Sequence, residues 1–499
     1  MSVVPKDSDP PVKTQETAID QDSKRSPLHE RSTTWSAIWI LSIMQFVDGL
    51  QFSVYYMSMW PYLSGHDKTA DMDFLGWVVA ACSLGCSISC PLYGYWNQKT
   101  LSCKWPTICG FLIAALGQVM YGAASEIQEN AKWYMLAARL ITGLGTGNTA
   151  VMKAYSATAS APKDRLKAIS YGIAGTVLGV SFGPVISAAF TPIGEKGVTL
   201  WMVRLNMYTS VAYLMALICI TVSAVMFFFF TEDYAGIIEK ETHDEKNNST
   251  IIVPKYDMMP ALICIYLNMI ITSIATNIEV ISTPLTTVLY NWKDSDAILY
   301  NGILEFFACI LAVLVNFAFA KSWIGNVDRR RQIVIGIVLF IGFNVVIYPW
   351  SFYPGPLDFL PPGMNTSEVG GCLHSYTWCS GTTRVPMVLY IFVFVFFFGI
   401  AFPCVESPAC ALYSEILGPR KQGTMQGLFT FGGTATPCIA SILLTYLFQH
   451  SGYRYVVLFQ FTSLFIALLL VLFYYNRLVP LKLREVSRGN VKTEEDSPF

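Results

Sequence analysis

The sequence predicts an all-α polytopic membrane protein, with twelve transmembrane helices arranged as two six-helix bundles. Three observations carry that expectation. Hydrophobic residues make up 53% of the chain and charged residues only 13%, about half of the ~25% charge of a soluble domain. Apolar runs close to the ~20 residues that cross a bilayer recur along the whole length, without the in-and-out alternation of a barrel strand. The pattern also has one sizeable charged break near its middle, from Thr231 to Asp257, which leaves six runs on either side.

The runs, called spans 1 to 12 below, lie at residues 36–60, 74–95, 105–125, 133–158, 169–193, 206–230, 258–283, 298–320, 332–350, 387–411, 427–448 and 456–475. The chain accordingly divides into a tail over 1–34, a first bundle over 35–230, a linker over 231–257, a second bundle over 258–476 and a tail over 477–499. Residues 1–34 are polar, rich in Ser, Asp, Lys and Pro, and lack the apolar core of a signal peptide. They are expected to be disordered, with span 1 directing insertion. Of the 33 Lys and Arg, 24 fall in the tails and even-numbered loops and 7 in the odd-numbered loops. That excess predicts cytosolic tails.

Ionisable residues inside the spans come next, because a charge in hydrocarbon costs roughly 2.5 to 3.5 kcal/mol even on a lenient scale and is kept where it meets water, a partner or a substrate. Span 1 carries Asp48 near its centre, span 4 carries Arg139 and Lys153, span 7 carries Glu279, span 8 Glu305 and span 10 Glu406. Asp48 suits a proton-carrying carboxyl, and Arg139 suits an anion contact or a carboxylate organiser through its two-pronged guanidinium. Lys153 lies near the tail-side end of span 4, where snorkelling competes with ligand binding. Glu279 precedes Pro284, which is expected to interrupt the helix one turn on. Glu305 and Glu406 read as charges nearer the membrane faces. The six give a net charge of −2, so an anionic substrate requires some carboxyls to be protonated, and proton-linked anion movement follows as the mechanistic expectation.

Between spans 9 and 10, residues 351–386 form the one long loop on the side opposite the tails. It holds the sequon Asn365-Thr366-Ser367, a glycosylation site if that side is luminal, and Cys372 and Cys379, which that compartment allows to pair. The other cysteines lie in or beside spans and read as small apolar residues. Tyr234-Ala235-Gly236-Ile237, overlapping Asp233 and Ile237-Ile238, has the form of an adaptor-binding sorting signal. There is no phosphate-binding glycine loop, zinc-protease motif, hydrolase elbow, Cys/His cluster or basic stretch with exposed aromatics, so no enzymatic cofactor, metal or nucleic-acid partner is expected.

The two halves echo each other. Tyr155-Ser156, Pro162-Lys163-Asp164-Arg165 and Gly172 in the first correspond to Tyr413-Ser414, Pro419-Arg420-Lys421 and Gly427 in the second, as internal repeats of a transporter do. Arg139 with Gly143, Gly145 and Gly147 resembles the RxxxGxG signature of the major facilitator superfamily, and Gly179 with Gly183-Pro184 resembles its antiporter motif. Its loop signature is reduced after span 2, where Asn97 and Gln98 stand near Gly94, and closer to pattern at Asp328-Arg329-Arg330-Arg331. Strings from Met57 to Leu63, Phe74 to Trp77, Tyr134 to Arg139, Gly194 to Thr199, Leu299 to Gly302 and Ile416 to Pro419 are together similar to one branch of that superfamily, the domain-containing protein 8 (ceroid-lipofuscinosis neuronal type 7) family. That resemblance implies a late endosomal or lysosomal membrane protein with the fold of a solute carrier and a chloride conductance. The residues alone leave three classes open: a carrier with alternating access for a small solute or anion, a chloride channel using the same cavity, and a non-transporting receptor or scaffold.

Overall fold

The computed structural model describes residues 31–55, 58–59, 62–63, 72–127, 130–194, 197–200, 203–237, 241–244, 249–252, 254–361, 369–374, 376–482 and 484–487. Span 1 is the helix Trp35–Ser53, shorter than the expected run, and spans 2 and 3 are Met72–Thr100 and Lys104–Ala123. Span 4 is two helices, Ala131–Thr146 and Thr149–Ala159, where one was expected. Spans 5 to 9 are Arg165–Ala189, Thr209–Phe229, Met258–Tyr290, Asp294–Lys321 and Arg329–Ile347. Span 10 passes from Met387–Val393 through a π-helical turn, Phe394–Phe398, into Gly399–Leu417, and spans 11 and 12 are Gly423–Ser451 and Tyr453–Phe473.

Ten of these helices are long and apolar enough to cross a membrane. Spans 1 and 4 fall outside that set: the first carries Asp48 among glutamines, and the fourth is broken and carries Arg139 and Lys153. The outward faces are apolar, with Trp77, Leu84, Ile88, Leu92, Phe307 and Leu314 exposed, as lipid contact requires. Helix axes approach closely through glycines, because between apolar rods in lipid it is packing rather than the hydrophobic effect that holds them together. A Cβ on Gly143 would lie 2.0 Å from the Cys82 carbonyl oxygen of span 2, and one on Gly145 would lie 2.4 Å from the Ala114 nitrogen of span 3. Spans 1 and 5 interlock in the same way: a Cβ on Gly179 would meet the Phe46 oxygen at 2.1 Å, and one on Gly183 would meet the Ser53 hydroxyl at 2.0 Å.

Pro284 does not break span 7, which runs as one helix to Tyr290 with the proline inside it. The irregularities fall instead in spans 4 and 10, the corresponding spans of the two halves. Span 4 opens at Gly147 and Asn148, where glycine weakens the helix and the Asn148 amide donates to the Thr107 carbonyl at 3.2 Å. Span 10 carries the π turn and then Pro403 and Pro408 around Glu406.

Both ends of the described chain lie on one side of the molecule, the terminal face. Arg31, the first described residue, donates to the Ile237 carbonyl at 2.8 Å, Thr33 bonds Asp164, and Leu481 donates to the Glu415 carbonyl. The last residues of the expected disordered tail are therefore tied down, while residues 1–30 lie outside the described set. Strand Ser249–Ile252 of the linker lies between Glu241–Asp244, also of the linker, and Arg484–Ser487 of the second tail, antiparallel to both, and an antiparallel pair of Val198–Leu200 and Val203–Leu205 precedes span 6. Tyr234 of the sorting pattern is packed edge-on to Tyr155, and the Ile237 carbonyl accepts from Arg31. Ile238 and Asn365 lie outside the described residues.

On the far face, Cys372 and Cys379 are disulfide-bonded as expected. Asp358 accepts from Asn291 at 2.7 Å and from Arg384 at 2.6 Å, clasping the long loop to the end of span 7. The Asn291 hydrogen bond, followed by the Arg384 contact, holds the Asp358 carboxyl below the ordinary carboxylate value. A lowered folded-state value means that the clasp contributes fully above the unfolded value of ~3.9 and fades only as pH falls through the lower one. The loop should thus stay docked in a mildly acidic compartment. Hydrogen exchange over residues 357–360 is expected to be unchanged between neutral and mildly acidic pH and to rise in Asp358→Asn at both; acid-induced release in the wild type would contradict it.

Candidate functional site

The two bundles share one hydrophobic core at the terminal face. Ala157 of span 4 and Leu166, Ile169 and Ile173 of span 5 belong to the same buried cluster as Cys404, Ala409 and Tyr413 of span 10. The first bundle's remaining clusters, including the one toward the far face around Tyr55, Tyr62 and Tyr121, contain no residue of the second bundle. Contacts between spans 2 and 11 run from this face, through Ser87 with Thr434 at 3.3 Å, to Cys438 with the Ala80 carbonyl, and are joined by other bonds at the terminal side. Gly94 of span 2 nests against Gly423 and Gly427 of span 11, the Gln98 side chain accepts from the Thr424 amide, and Tyr171 stacks edge-on with Phe317 of span 8. Glu415 of span 10 pairs with Arg329 at 3.7 Å and lies within electrostatic reach of the buried Arg165 of span 5. Among the described residues, then, the bundles are sealed together on the terminal side.

Behind this seal lies a charged cluster that joins both halves. Lys153 of span 4 reaches Glu406 of span 10 at 4.0 Å, with the two side chains 17% and 16% exposed. Asp48 of span 1, 8% exposed, is near enough to Lys153 to feel its charge. Helical side chains lean toward the N-terminus of their own helix. Span 4 runs from the far face to the terminal face, so its lysine leans toward the membrane centre, away from the nearer surface. Snorkelling is thereby set aside, and Glu406, expected near a membrane face, is instead half of a bridge between bundles.

Asp48 has a second partner that explains the break in span 4. The helix restarts at Thr149, whose hydroxyl lies 2.8 Å from Asp48 Oδ2 and 2.8 Å from the Thr146 carbonyl. One hydroxyl proton cannot serve both acceptors at once. With Asp48 ionised, Thr149 donates to it; with Asp48 protonated, the acid donates to Thr149 and the hydroxyl turns to Thr146. Both protonation states are hydrogen-bonded without moving the backbone. Gln51 adds a long contact to the other carboxylate oxygen at 3.5 Å.

Arg139 does not join this cluster. It is 3% exposed and lies inside the first bundle with its guanidinium 5.1 Å from the Tyr55 ring centroid, near Tyr121 and Cys82. Ten residues of span 4 separate it from Thr149, which is about 15 Å at 1.5 Å per residue. Arg139 thus lies in an aromatic enclosure at a distance from Asp48, whereas Lys153 is the cation that bridges to the second bundle beside Asp48. Glu279 lies on span 7, and its side chain is outside the described set. Glu305 lies on span 8 among interior-facing residues. Thr149 and Glu415 were not singled out from the sequence, and Arg165 was noted only as part of the internal repeat. A threonine carries no charge to mark it, but Glu415 directly follows the repeated Tyr413-Ser414.

The arrangement is that of a known family. The Major Facilitator Superfamily model matches residues 41–365 and 359–496. The chain belongs to that superfamily. Among curated proteins, Major facilitator superfamily domain-containing protein 8 of Xenopus laevis is 29% identical over 93% of this chain and 98% of its own length. Among solved structures, the human organic anion transporter MFSD10 (TETRAN) is similar with a TM-score of 0.57 at 13% identity, covering 87% of this chain and 98% of that one. The proton:xylose symporter XylE bound to 6-bromo-6-deoxy-D-glucose has a TM-score of 0.61 at 15% identity, covering 89% and 98%. At such identities these two speak for the fold alone, two bundles around a central axis, as the sequence predicts. The protein is a multi-pass membrane transporter of this superfamily.

Proposed function

We propose that the protein is a proton-linked carrier of a small solute or anion in the late endosomal or lysosomal membrane, working by alternating access, with the terminal face cytosolic. The observation that carries this reading is the Lys153–Glu406 bridge with Asp48 beside it. The bundles can part on the terminal side only if Lys153 exchanges its carboxylate partner for something else. An anionic group of the substrate or a proton on Glu406 supplies that exchange, and Asp48, ready for either protonation state through Thr149, is the proton carrier. Each side of the exchange biases the same two-state element, which is what coupling requires.

The orientation rests on the basic-residue count, and the compartment on the resemblance of the chain to its domain-containing protein 8 relatives. In that orientation the loop between spans 9 and 10 is luminal, which makes its sequon at Asn365 a glycosylation site. Chloride is suggested by the same resemblance, with Lys153 as the cation that would meet it. A carrier is preferred to a channel because the shared core at the terminal face must be opened in every cycle, which belongs to the microsecond-to-millisecond class of motion.

The test is solute, chloride and proton flux in liposomes containing the purified full chain. Asp48→Asn, which keeps shape and loses the titrating group, should uncouple flux from the pH gradient and slow proton-driven uptake by about tenfold or more, the range lost with one positioned proton carrier. Arg139→Lys should leave the pH dependence in place. Flux that is equally steep in pH with Asp48→Asn would remove Asp48 from the role, and absence of any flux in the wild type across these substrates would favour a scaffold.

A further inference from the structure

Span 8 presents two faces. Ile303, Phe307, Ile310 and Leu314 form its exposed apolar row, while Asn301, Ala308, Ala312 and Asn316 are buried. At 100° per residue Glu305 falls opposite the apolar row, on the line of Ala312 and Asn316 and one turn from Asn301, with part of its surface still accessible. It lies about 16 Å along the helix from Asp294, well inside the membrane. Its side chain leans toward the N-terminus of span 8, and so toward Asn301.

Asn301 is 7% exposed. Its amide nitrogen donates to the Thr286 hydroxyl of span 7 at 2.8 Å, and that hydroxyl donates to the Ser282 carbonyl at 2.9 Å. The donor side of Asn301 is satisfied, whereas its Oδ1 is buried with no hydrogen-bond partner. An orphaned buried acceptor calls for a donor. We infer that Glu305 and Asn301 form a proton-binding site in the second bundle, in which the protonated Glu305 carboxyl donates to Asn301 Oδ1 and completes the chain through Thr286 to Ser282.

The surroundings supply no competing positive charge. On span 5, packed against span 8 with Tyr171 on Phe317, the stretch from Thr176 to Ala189 that covers this depth has no ionisable group, and Arg165 and Lys167 lie at its terminal-face end. The π turn of span 10 is Phe394–Phe398, and Glu406 lies about two turns deeper. Span 7 brings Glu279, a second acid, to this level, and Asp294, Asp296 and Lys321 lie at the ends of span 8 itself. A carboxyl with only acids near its depth and a waiting acceptor is satisfied by a proton. The site lies on the opposite bundle from Asp48 and stands independently of the Lys153–Glu406 reading.

Infrared difference spectra of the full chain in lipid nanodiscs, titrated from alkaline to acidic pH, test this without any transport assay. Glu305→Gln, nearly identical in shape, should remove one protonated-carboxyl C=O band that is present at neutral pH in the wild type. Asn301→Leu should retain the band but require about tenfold more protons to develop it, the loss of one hydrogen bond to the protonated form. If Glu305→Gln leaves the protonated band untouched and removes only carboxylate intensity, Glu305 is ionised in its pocket and the proposal is overturned. That outcome is decisive even if Asn301→Leu fails to fold.

Discussion

Lys153→Met should be the most damaging single substitution in the central cluster, lowering the unfolding free energy of the full chain in detergent by roughly 3–5 kcal/mol, the usual cost of stripping one partner from a buried ion pair. The wild-type lysine serves two carboxylates, Glu406 at 4.0 Å and Asp48 within electrostatic range. Methionine fills the same volume and leaves both acids in a low-dielectric interior without a counter-charge. Adding Glu406→Gln should recover more than half of the loss, because the bridge itself is worth little compared with the cost of leaving one member alone. Equilibrium unfolding of the single and double variants reads this directly. Equal destabilisation in both would mean that Lys153 contributes by packing rather than by charge, and the cross-bundle bridge would lose its role in holding the terminal side closed.

Gly143→Ala and Gly76→Ala should move stability in opposite directions. In an isolated helix alanine is better than glycine by about 1 kcal/mol, and Gly76 has no atom within 4 Å of where a Cβ would stand. Alanine there should stabilise by that amount. At Gly143 the same methyl would stand 2.0 Å from the Cys82 carbonyl oxygen and 2.8 Å from its carbon. Backbone cannot turn aside as a side chain can, so spans 2 and 4 must separate, at a net loss of about 1–3 kcal/mol typical of overpacking. Thermal unfolding of the two variants under one set of conditions settles it: two shifts of the same sign would mean that the span 2–span 4 approach is not a tight one.

Much of this was legible in the residues. The length and apolarity of the runs placed ten of the spans, since each must cover the bilayer with backbone satisfied internally. The glycines of span 4, a family signature in the sequence, form a packing face in the structure. Two local readings failed for the same reason. Pro284 looked like a break and Gly147-Asn148 did not, yet the long span-7 helix absorbs its proline, whereas span 4 restarts at Thr149 to present its hydroxyl to Asp48. Whether a helix bends depends on which neighbours take up its freed backbone groups, and no single run contains its neighbours.

The same division holds for charge. Sequence by itself determined a multi-pass, two-bundle membrane fold and that Asp48, Arg139, Lys153, Glu279, Glu305 and Glu406 fall within its apolar runs, because transfer cost depends on residue type and on position along a run. Only the tertiary structure decided which of them meet. Lys153 bridges to Glu406 beside Asp48, while Arg139, on the same span, is turned into an aromatic enclosure within its own bundle. Rotation about a helix axis and the approach of a second bundle are set by packing across residues hundreds of positions apart, and periodicity within one span does not encode them.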